Sequence, residues 1–197
     1  LHKYSRQNDV VLGTPVANRP DNSFENVVGF FSNTLALRLI FEGHESLSYM
    51  LEKVKKLTLD AYEHQYIPFD YLIDYLKPER RINVNPIFQV MVTVEERDDL
   101  PKFKDEIEIE ELQPEYSIAK FDLEFEVIKR GNSIEINILY SDELFKTETI
   151  QGLGNSLINF IKNGIQSPDI QLDSIDLLSK EEYNKIAYSW NDTKKSY

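Results

Sequence analysis

The chain has no cysteine and only three histidines, His2, His44 and His64, in its 197 residues. Without cysteine there is no disulfide, thiolate nucleophile or Cys-ligated metal, a usage that fits a reducing, cytoplasmic setting. The histidines show no H-x-x-x-H spacing, so no metal site is read from them. No apolar run approaches the ~20 residues of a membrane-spanning helix, and Leu1-His2-Lys3-Tyr4 is no signal peptide. A G-x-S-x-G elbow and a Gly-rich phosphate loop are also missing, which removes the motif grounds for a serine hydrolase or a nucleotide-binding protein. A Ser-His-Asp triad is a matter of geometry and stays open. Positive charge is scarce: 22 Lys+Arg stand against 34 Asp+Glu for a net charge of −12, and bases such as those of Lys53-Val54-Lys55-Lys56 lie scattered or beside acids. Nucleic-acid binding rests on clustered cations that displace counterions, so this balance argues against it. There is neither an internal repeat nor a low-complexity segment.

What is present is a globular composition, 41% hydrophobic and 12% aromatic, in a chain long enough to bury roughly 70% of its unfolded surface. Leu1 is not a Met, so the chain is expected to start within a longer protein. Asp9 to Leu12 reads as a short strand that Gly13-Thr14-Pro15 stops, and Asn18 to Ser23 as a loop. A second strand ends at Phe41. Ser46 is the expected N-cap of a long helix whose apolar residues Leu47, Met50, Leu51, Val54 and Ala61 recur to about His64, with Pro68 closing it. A further helix from Phe69 to Leu76 carries Phe69, Leu72, Ile73 and Leu76 at i, i+3, i+4, i+7. The apolar run Ile87 to Val94 predicts a strand buried on both faces. After a charged linker, 106–110 alternates strictly, as a strand with one wet face does. Phe121–Val127 and Ile134–Tyr140 predict a hairpin turning at Gly131-Asn132-Ser133. Thr147 is expected to cap a helix with Ile150, Leu153, Leu157 and Ile161 on its apolar face, ended by Asn163-Gly164. Asp169 to Leu178 reads as extended and peripheral, followed by a capping box at Ser179 to Glu182. Strands and helices mix without strict alternation, which predicts an α/β chain of the α+β type, a mixed β-sheet covered by helices.

The chain is organised around Val28-Gly29-Phe30-Phe31-Ser32-Asn33-Thr34-Leu35-Ala36-Leu37-Arg38. Gly29 lets backbone pass where a Cβ would clash, and Leu35, Leu37 and Leu39 share a strand face by the two-residue period. Ser32, Asn33 and Thr34 are polar at the mouth of a buried strand, where an unpaired polar group costs about 1–3 kcal/mol. They read as a polar strand start or as a site. His64 reads as a capping histidine at a helix end or as a catalytic group, and Asp70 as a first-turn acid that the helix dipole favours. Arg80 and Arg81 belong to a solvated loop or lock that loop onto carbonyls or acids. Asp122, within an apolar strand, needs a partner if buried, and Lys120 is the nearest candidate only if the strand bends, as a structural pair.

The organising stretch resembles the G-x-F-x-N-T motif of nonribosomal peptide synthetase condensation domains, and further segments match that family in order. They are Leu12 to Arg19, His64-Gln65-Tyr66-Ile67-Pro68-Phe69-Asp70, the stretch from Arg80 through Pro86 to Ile87, and Lys120-Phe121-Asp122-Leu123. Ser32 stands where Val is usual and Arg81 where Asp is usual.

This resemblance implies one lobe of a chloramphenicol acetyltransferase-like, V-shaped fold with a tunnel between its halves, in which carrier-protein-bound aminoacyl and peptidyl thioesters are joined as an amide. The active histidine of the family sits in an H-H-x-x-x-D-G motif of the N-terminal half. The chain has no His-His pair, so the resemblance puts no catalytic residue in it and reads it as the C-terminal half, inactive alone. Asn33, with Thr34 and Ser32, is implied at the tunnel. Gly29, Arg38, His64, Gln65, Pro68, Phe69, Asp70, Arg80, Pro86 and Asp122 are implied as motif or structural positions. The stretch after Gly13 resembles the segment that crosses toward the other half, so exposed apolar surface is expected there. No cofactor is bound directly, and substrates arrive on phosphopantetheine arms. The implied partners are the N-terminal half, acyl or peptidyl carrier proteins and a following adenylation domain, with residues 1–168 as subdomain and 169–197 as linker arm. The alternatives are a non-catalytic carrier-protein docking module and an epimerisation-type relative, the latter expected to lack the Asn33-Thr34 pair.

Overall fold

A computed structural model describes residues 1–19, 21–79, 81–82, 84–97 and 118–193. The strand expected at 106–110 lies outside them. The elements in chain order are α1 (His2–Ser5), β1 (Asp9–Val16), β2 (Asn33–Ile40), α2 (Leu47–Glu63), α3 (Phe69–Leu76), β3 (Val90–Glu96), β4 (Leu123–Arg130), β5 (Ser133–Tyr140), α4 (Thr147–Gln166) and α5 (Lys180–Asn184). The strands form one five-stranded mixed sheet in the order β2-β1-β3-β4-β5. β1, β3 and β4 run parallel, and β4 and β5 are antiparallel. The chain divides into two units, one of 10–39 and 57–145 and the other of 1–9, 40–56 and 146–197.

The first unit holds most of the sheet. β1 does not stop at Gly13 but continues through Pro15 to Val16, because Gly13 pairs with Met91 across the ladder and the fixed φ of Pro15 suits a strand near its end. Gly13 is needed for space: a Cβ there would come within 2.2 Å of the Phe88 ring. The β4–β5 hairpin forms with Arg130 opposite Ser133, so the turn is the two residues Gly131-Asn132, and Gly131 takes φ +51°. β3 differs from expectation. It starts at Val90, and of its residues Met91 is buried while Val94 is 71% exposed. An unbroken β-branched run marks a strand without saying how many of its faces are covered.

The second unit is tied together by backbone and amide contacts. Ser46 Oγ accepts the Tyr49 N–H and caps α2 as expected. The segment expected to be peripheral is woven in: Ser48 and Leu47 donate to the Pro168 and Ile170 carbonyls, the Leu172 N–H donates to Glu45, and Ile175 is 1% exposed. Lys3 Nζ donates to the Ile175 and Asp173 carbonyls, and the amides of Asn159 and Asn163 donate to Leu177 and Asp176. Asn163-Gly164 does not end α4. Gly164 is buried against Leu47, where a Cβ would fall 2.3 Å from Cδ2, and the helix runs on to Gln166. Its N-cap is Lys146 rather than Thr147. The capping box at Ser179 and Glu182 is complete, and hydrogen bonding with Ser179, first of all from its backbone N–H, holds the Glu182 carboxyl below its ordinary range.

Glu45 is the buried carboxylate of this unit, at 6% exposure. Lys53 Nζ lies 2.7 Å from its Oε1 and also donates to the Ile40 carbonyl, while the Glu42 N–H reaches Oε2 at 3.1 Å. Burial alone would raise the pKa of Glu45, but the hydrogen bonds from Lys53 and from the Glu42 N–H outweigh it and hold it below the usual range. The same contact raises that of Lys53.

Two outcomes follow for equilibrium unfolding. Gly13→Ala pushes a methyl into the Phe88 ring and is expected to destabilise by about 1–3 kcal/mol in urea, with Phe88→Leu relieving part of that in the double variant. For the ion pair, the depressed Glu45 adds stability that is present above the ordinary carboxylate range and lost as pH falls through its lowered pKa. The raised Lys53 adds stability that is present below the ordinary lysine range and lost as pH rises through its raised pKa. Lys53→Met, which leaves the carboxylate buried without its cation, is expected to cost more at pH 7 than Glu45→Gln, and the gap is expected to narrow toward pH 3.

Candidate functional site

Asn33, the first residue of β2, has its side chain fully engaged. Its Nδ2 donates to the carbonyls of Gln65 at 2.8 Å and Ile67 at 2.6 Å, and its Oδ1 accepts the Phe69 N–H at 3.1 Å. One amide therefore fastens the α2–α3 connection to the sheet and satisfies a first-turn N–H of α3, whose N-cap residue Pro68 has no side chain able to do so. Both amide protons are committed, so donating to a substrate requires breaking one of these bonds. Thr34 is half-buried in β2 and Ser32 is exposed just before it.

Phe69 carries the connection inward. Its ring lies 5.6 Å from that of Phe88, which lies 5.3 Å from Phe121, and Phe88 is 1% exposed. Phe88 is dropped into this position by Asn85, whose Oδ1 accepts the Ile87 and Phe88 N–H groups, while Gln89 Nε2 donates to the Asn85 carbonyl. The motif segments, separate in sequence, thus converge: Gly13, Phe69 and Phe121 touch Phe88, and Asn33 holds Phe69.

Ahead of Asn33 the loop is shaped by Arg19, whose role the residue pattern did not reveal beyond its place in a motif. Its guanidinium donates to the carbonyls of Phe24 and Val27 and lies 4.4 Å over the Phe31 ring, which meets Phe24 edge-on at 5.8 Å. The Ser23 N–H, donating to Asp21 at 2.7 Å, lowers that carboxyl's pKa. Gly29 has the close neighbour expected of it, Phe31 Cε2, 3.1 Å from where a Cβ would stand.

The remaining predicted positions are spread. His64 follows the end of α2, exposed, with its ring 6.4 Å from Tyr66. Gln65 takes part through its carbonyl. Asp70 is exposed on the first turn of α3 and lines an open depression of about 490 Å³ with Ile73, Asp74, Arg81, Val84 and Pro86. Arg81 pairs with Glu79 at 3.0 Å, both exposed, as a solvated loop requires. Arg80 lies outside the described residues. Arg38 is exposed on β2. Asp122 is half-buried in the bend before β4 rather than within a strand, and it forms no pair with Lys120. Glu124, not Asp122, holds this bend, accepting the backbone N–H groups of Lys120 and Phe121. The sequence pattern does not reveal a polar row: Thr93, Glu126 and Asn137 stand in register across β3, β4 and β5, with Arg97 3.0 Å from Glu126 and Asn137 3.2 Å from it. The alternation of Glu124 and Glu126 was its only trace in sequence.

Among the described residues no buried side-chain nitrogen or oxygen lacks a partner and no group of three His, Asp or Glu gathers as for a metal. Also among them, no helix is long and apolar enough to cross a membrane. Asn33, Asn85 and Arg19 spend their polar groups on holding loops in place.

The sequence profile of the condensation domain family matches residues 1–187. Gramicidin S synthase 2 of Brevibacillus brevis is 36% identical over 202 residues, an alignment covering 100% of this chain and 4% of that protein. A four-domain nonribosomal peptide synthetase in its holo form, bound to AMP and glycine, superposes with a TM-score of 0.76 at 20% identity, covering 91% of this chain and 15% of the other. The first condensation domain of the CDA synthetase superposes with a TM-score of 0.66 at 18% identity, covering 91% of this chain and 40% of that one. The chain therefore spans a small part of the length of the proteins it matches.

Replacing Asn33 tests the brace. Asn33→Ala removes three hydrogen bonds and is expected to destabilise by about 2–3 kcal/mol. In Asn33→Asp a carboxylate faces the Gln65 and Ile67 carbonyls, which raises its folded pKa. Its penalty is expected to be largest above the ordinary carboxylate range and to shrink as pH falls and the carboxyl protonates, read from urea midpoints between pH 4 and 8.

Proposed function

The chain belongs to the condensation domain family, and from that membership we propose that it is the C-terminal half of a nonribosomal peptide synthetase condensation domain that forms amide bonds between carrier-bound aminoacyl and peptidyl thioesters. The observation that carries this reading is the convergence of the family's motif segments on one buried cluster in a chain with no adjacent pair of histidines. The chain supplies a wall and its bracing, and the base is supplied by the other half. Ser32 and Thr34, beside the committed Asn33, face the substrate passage, and Asn33 acts as a positioning residue for the α2–α3 connection. The substrates come on the phosphopantetheine arms of carrier proteins. Residues 169–197 lead toward an adenylation domain, and the assembly works in the cytoplasm.

The test is amide formation from a loaded donor and acceptor carrier pair, with this chain alone and with the chain extended upstream by about 250 residues, roughly the size of one domain. Product is expected only with the extended chain. Product with the short chain, or none with either, overturns the reading.

A further inference from the structure

The turn that joins α2 to α3 is exposed and yet fixed at every backbone position. Its residues His64-Gln65-Tyr66-Ile67 are closed by the Ile67 N–H, which donates to the His64 carbonyl at 3.1 Å, and the His64 and Gln65 N–H groups donate back to Ala61 and Tyr62. Asn33 then takes the Gln65 and Ile67 carbonyls with Nδ2 and the Phe69 N–H with Oδ1. The chain is therefore held on both sides of Tyr66. That side chain stands 66% exposed, its ring meeting the exposed His64 ring edge-on at 6.4 Å. Among the described residues the Tyr66 hydroxyl and the His64 ring nitrogens take part in no hydrogen bond. Two polar tips ordered in advance and left unspent lose little freedom when a ligand meets them.

Charge narrows what that ligand is. From Leu57 to Leu76 there is no lysine or arginine, while Asp60, Glu63, Asp70 and Asp74 are acids, so the local field repels an anion. The Tyr66 hydroxyl and an imidazole N–H donate to carbonyl oxygens, and the Tyr66 ring with the 39% exposed Ile67 offers apolar surface. An uncharged chain of amides and methyl groups matches both. Resting on the function proposed above, we propose that the His64–Tyr66 turn is a subsite for the outer half of a pantetheine arm, the amide farther from the sulfur and the dimethyl carbon beside it. The turn meets the outer half because it is exposed beside the start of β2, where Ser32 is exposed too. Tyr66 and His64 bind the arm, and Asn33 positions the turn.

The experiment uses the chain extended upstream by about 250 residues, as parent and as Tyr66→Ala, Tyr66→Phe, His64→Ala and Tyr75→Phe, the last an exposed control on α3. Free pantetheine is titrated while the ring resonances of residues 64 and 66 are followed by NMR. Amide formation is then measured with each substrate offered as its pantetheine thioester or as its N-acetylcysteamine thioester, which lacks the outer amide and the dimethyl carbon. Pantetheine is expected to shift both rings in the parent. Tyr66→Ala is expected to raise KM for a pantetheine thioester about tenfold at little cost in kcat, with Tyr66→Phe and His64→Ala raising it about threefold each. KM for the shorter thioester is expected to stay at the parent value, Tyr75→Phe to change neither, and every melting temperature to stay close to that of the parent, since all these positions are exposed. Rings that do not shift with pantetheine, an equal rise in KM for both thioesters, or a loss of kcat and melting temperature without a rise in KM each overturn the proposal. So does a shift produced by an amino-acid ester and not by pantetheine, which assigns the turn to an ammonium group. Binding is read without turnover: pantetheine shifts with no amide formed discard the reaction and keep the subsite, whereas parent-like kinetics in Tyr66→Ala discard the subsite and keep the reaction.

Discussion

The rest of this structure depends on a single exchange of volume: the Phe88 ring occupies the space where residue 13 would carry a side chain. Gly13 has no Cβ, so the ring lies against the backbone of β1 while Met91, three residues after Phe88, pairs with Gly13 across the ladder. A core of this density tolerates no extra methyl at that point. Phe69 and Phe121 close on the same ring from α3 and from the approach to β4. The helix, the central strands and the hairpin are thereby positioned by one side chain that is 1% exposed.

Around that centre, polar side chains do the work of tethers. Asn33 ties the α2–α3 connection to β2 with three hydrogen bonds, and Asn85 folds the turn that inserts Phe88. Arg19 does the same for the loop leading into β2. In each case the side chain replaces a regular ladder or helix bond that the local backbone cannot make. The polar side chains of these motif segments thus serve as braces, with no contact to a substrate needed to account for them. The other unit repeats the device with Lys3, Asn159 and Asn163, whose side chains satisfy the carbonyls of 173–177.

Much was legible beforehand. The spacing of apolar residues predicts α3 to its observed ends, Ser46 and Ser179 cap their helices as their types and positions require, and the Gly131 hairpin and mixed sheet follow from alternation and turn chemistry. These are local features, set by neighbours within a few residues. The misreadings share a cause. Pro15 and Gly164 carry breaker identities, yet one sits in a strand and the other inside a helix, because Phe88 packs beside β1 and Leu47 fills the space against Gly164. The nearest cation in sequence to Asp122 is Lys120, yet at this bend it is Glu124 that engages the chain, through the Lys120 and Phe121 backbone N–H groups.

Periodicity, turn residues and ordered motifs determined by themselves the element types, the mixed sheet and the family, because each is written in short-range spacing. Tertiary structure alone decided that the motifs meet at Phe88 and that Asn33 spends its amide on Gln65, Ile67 and Phe69. Those outcomes turn on which distant group reaches a polar atom or a void first, and no window of sequence contains both partners.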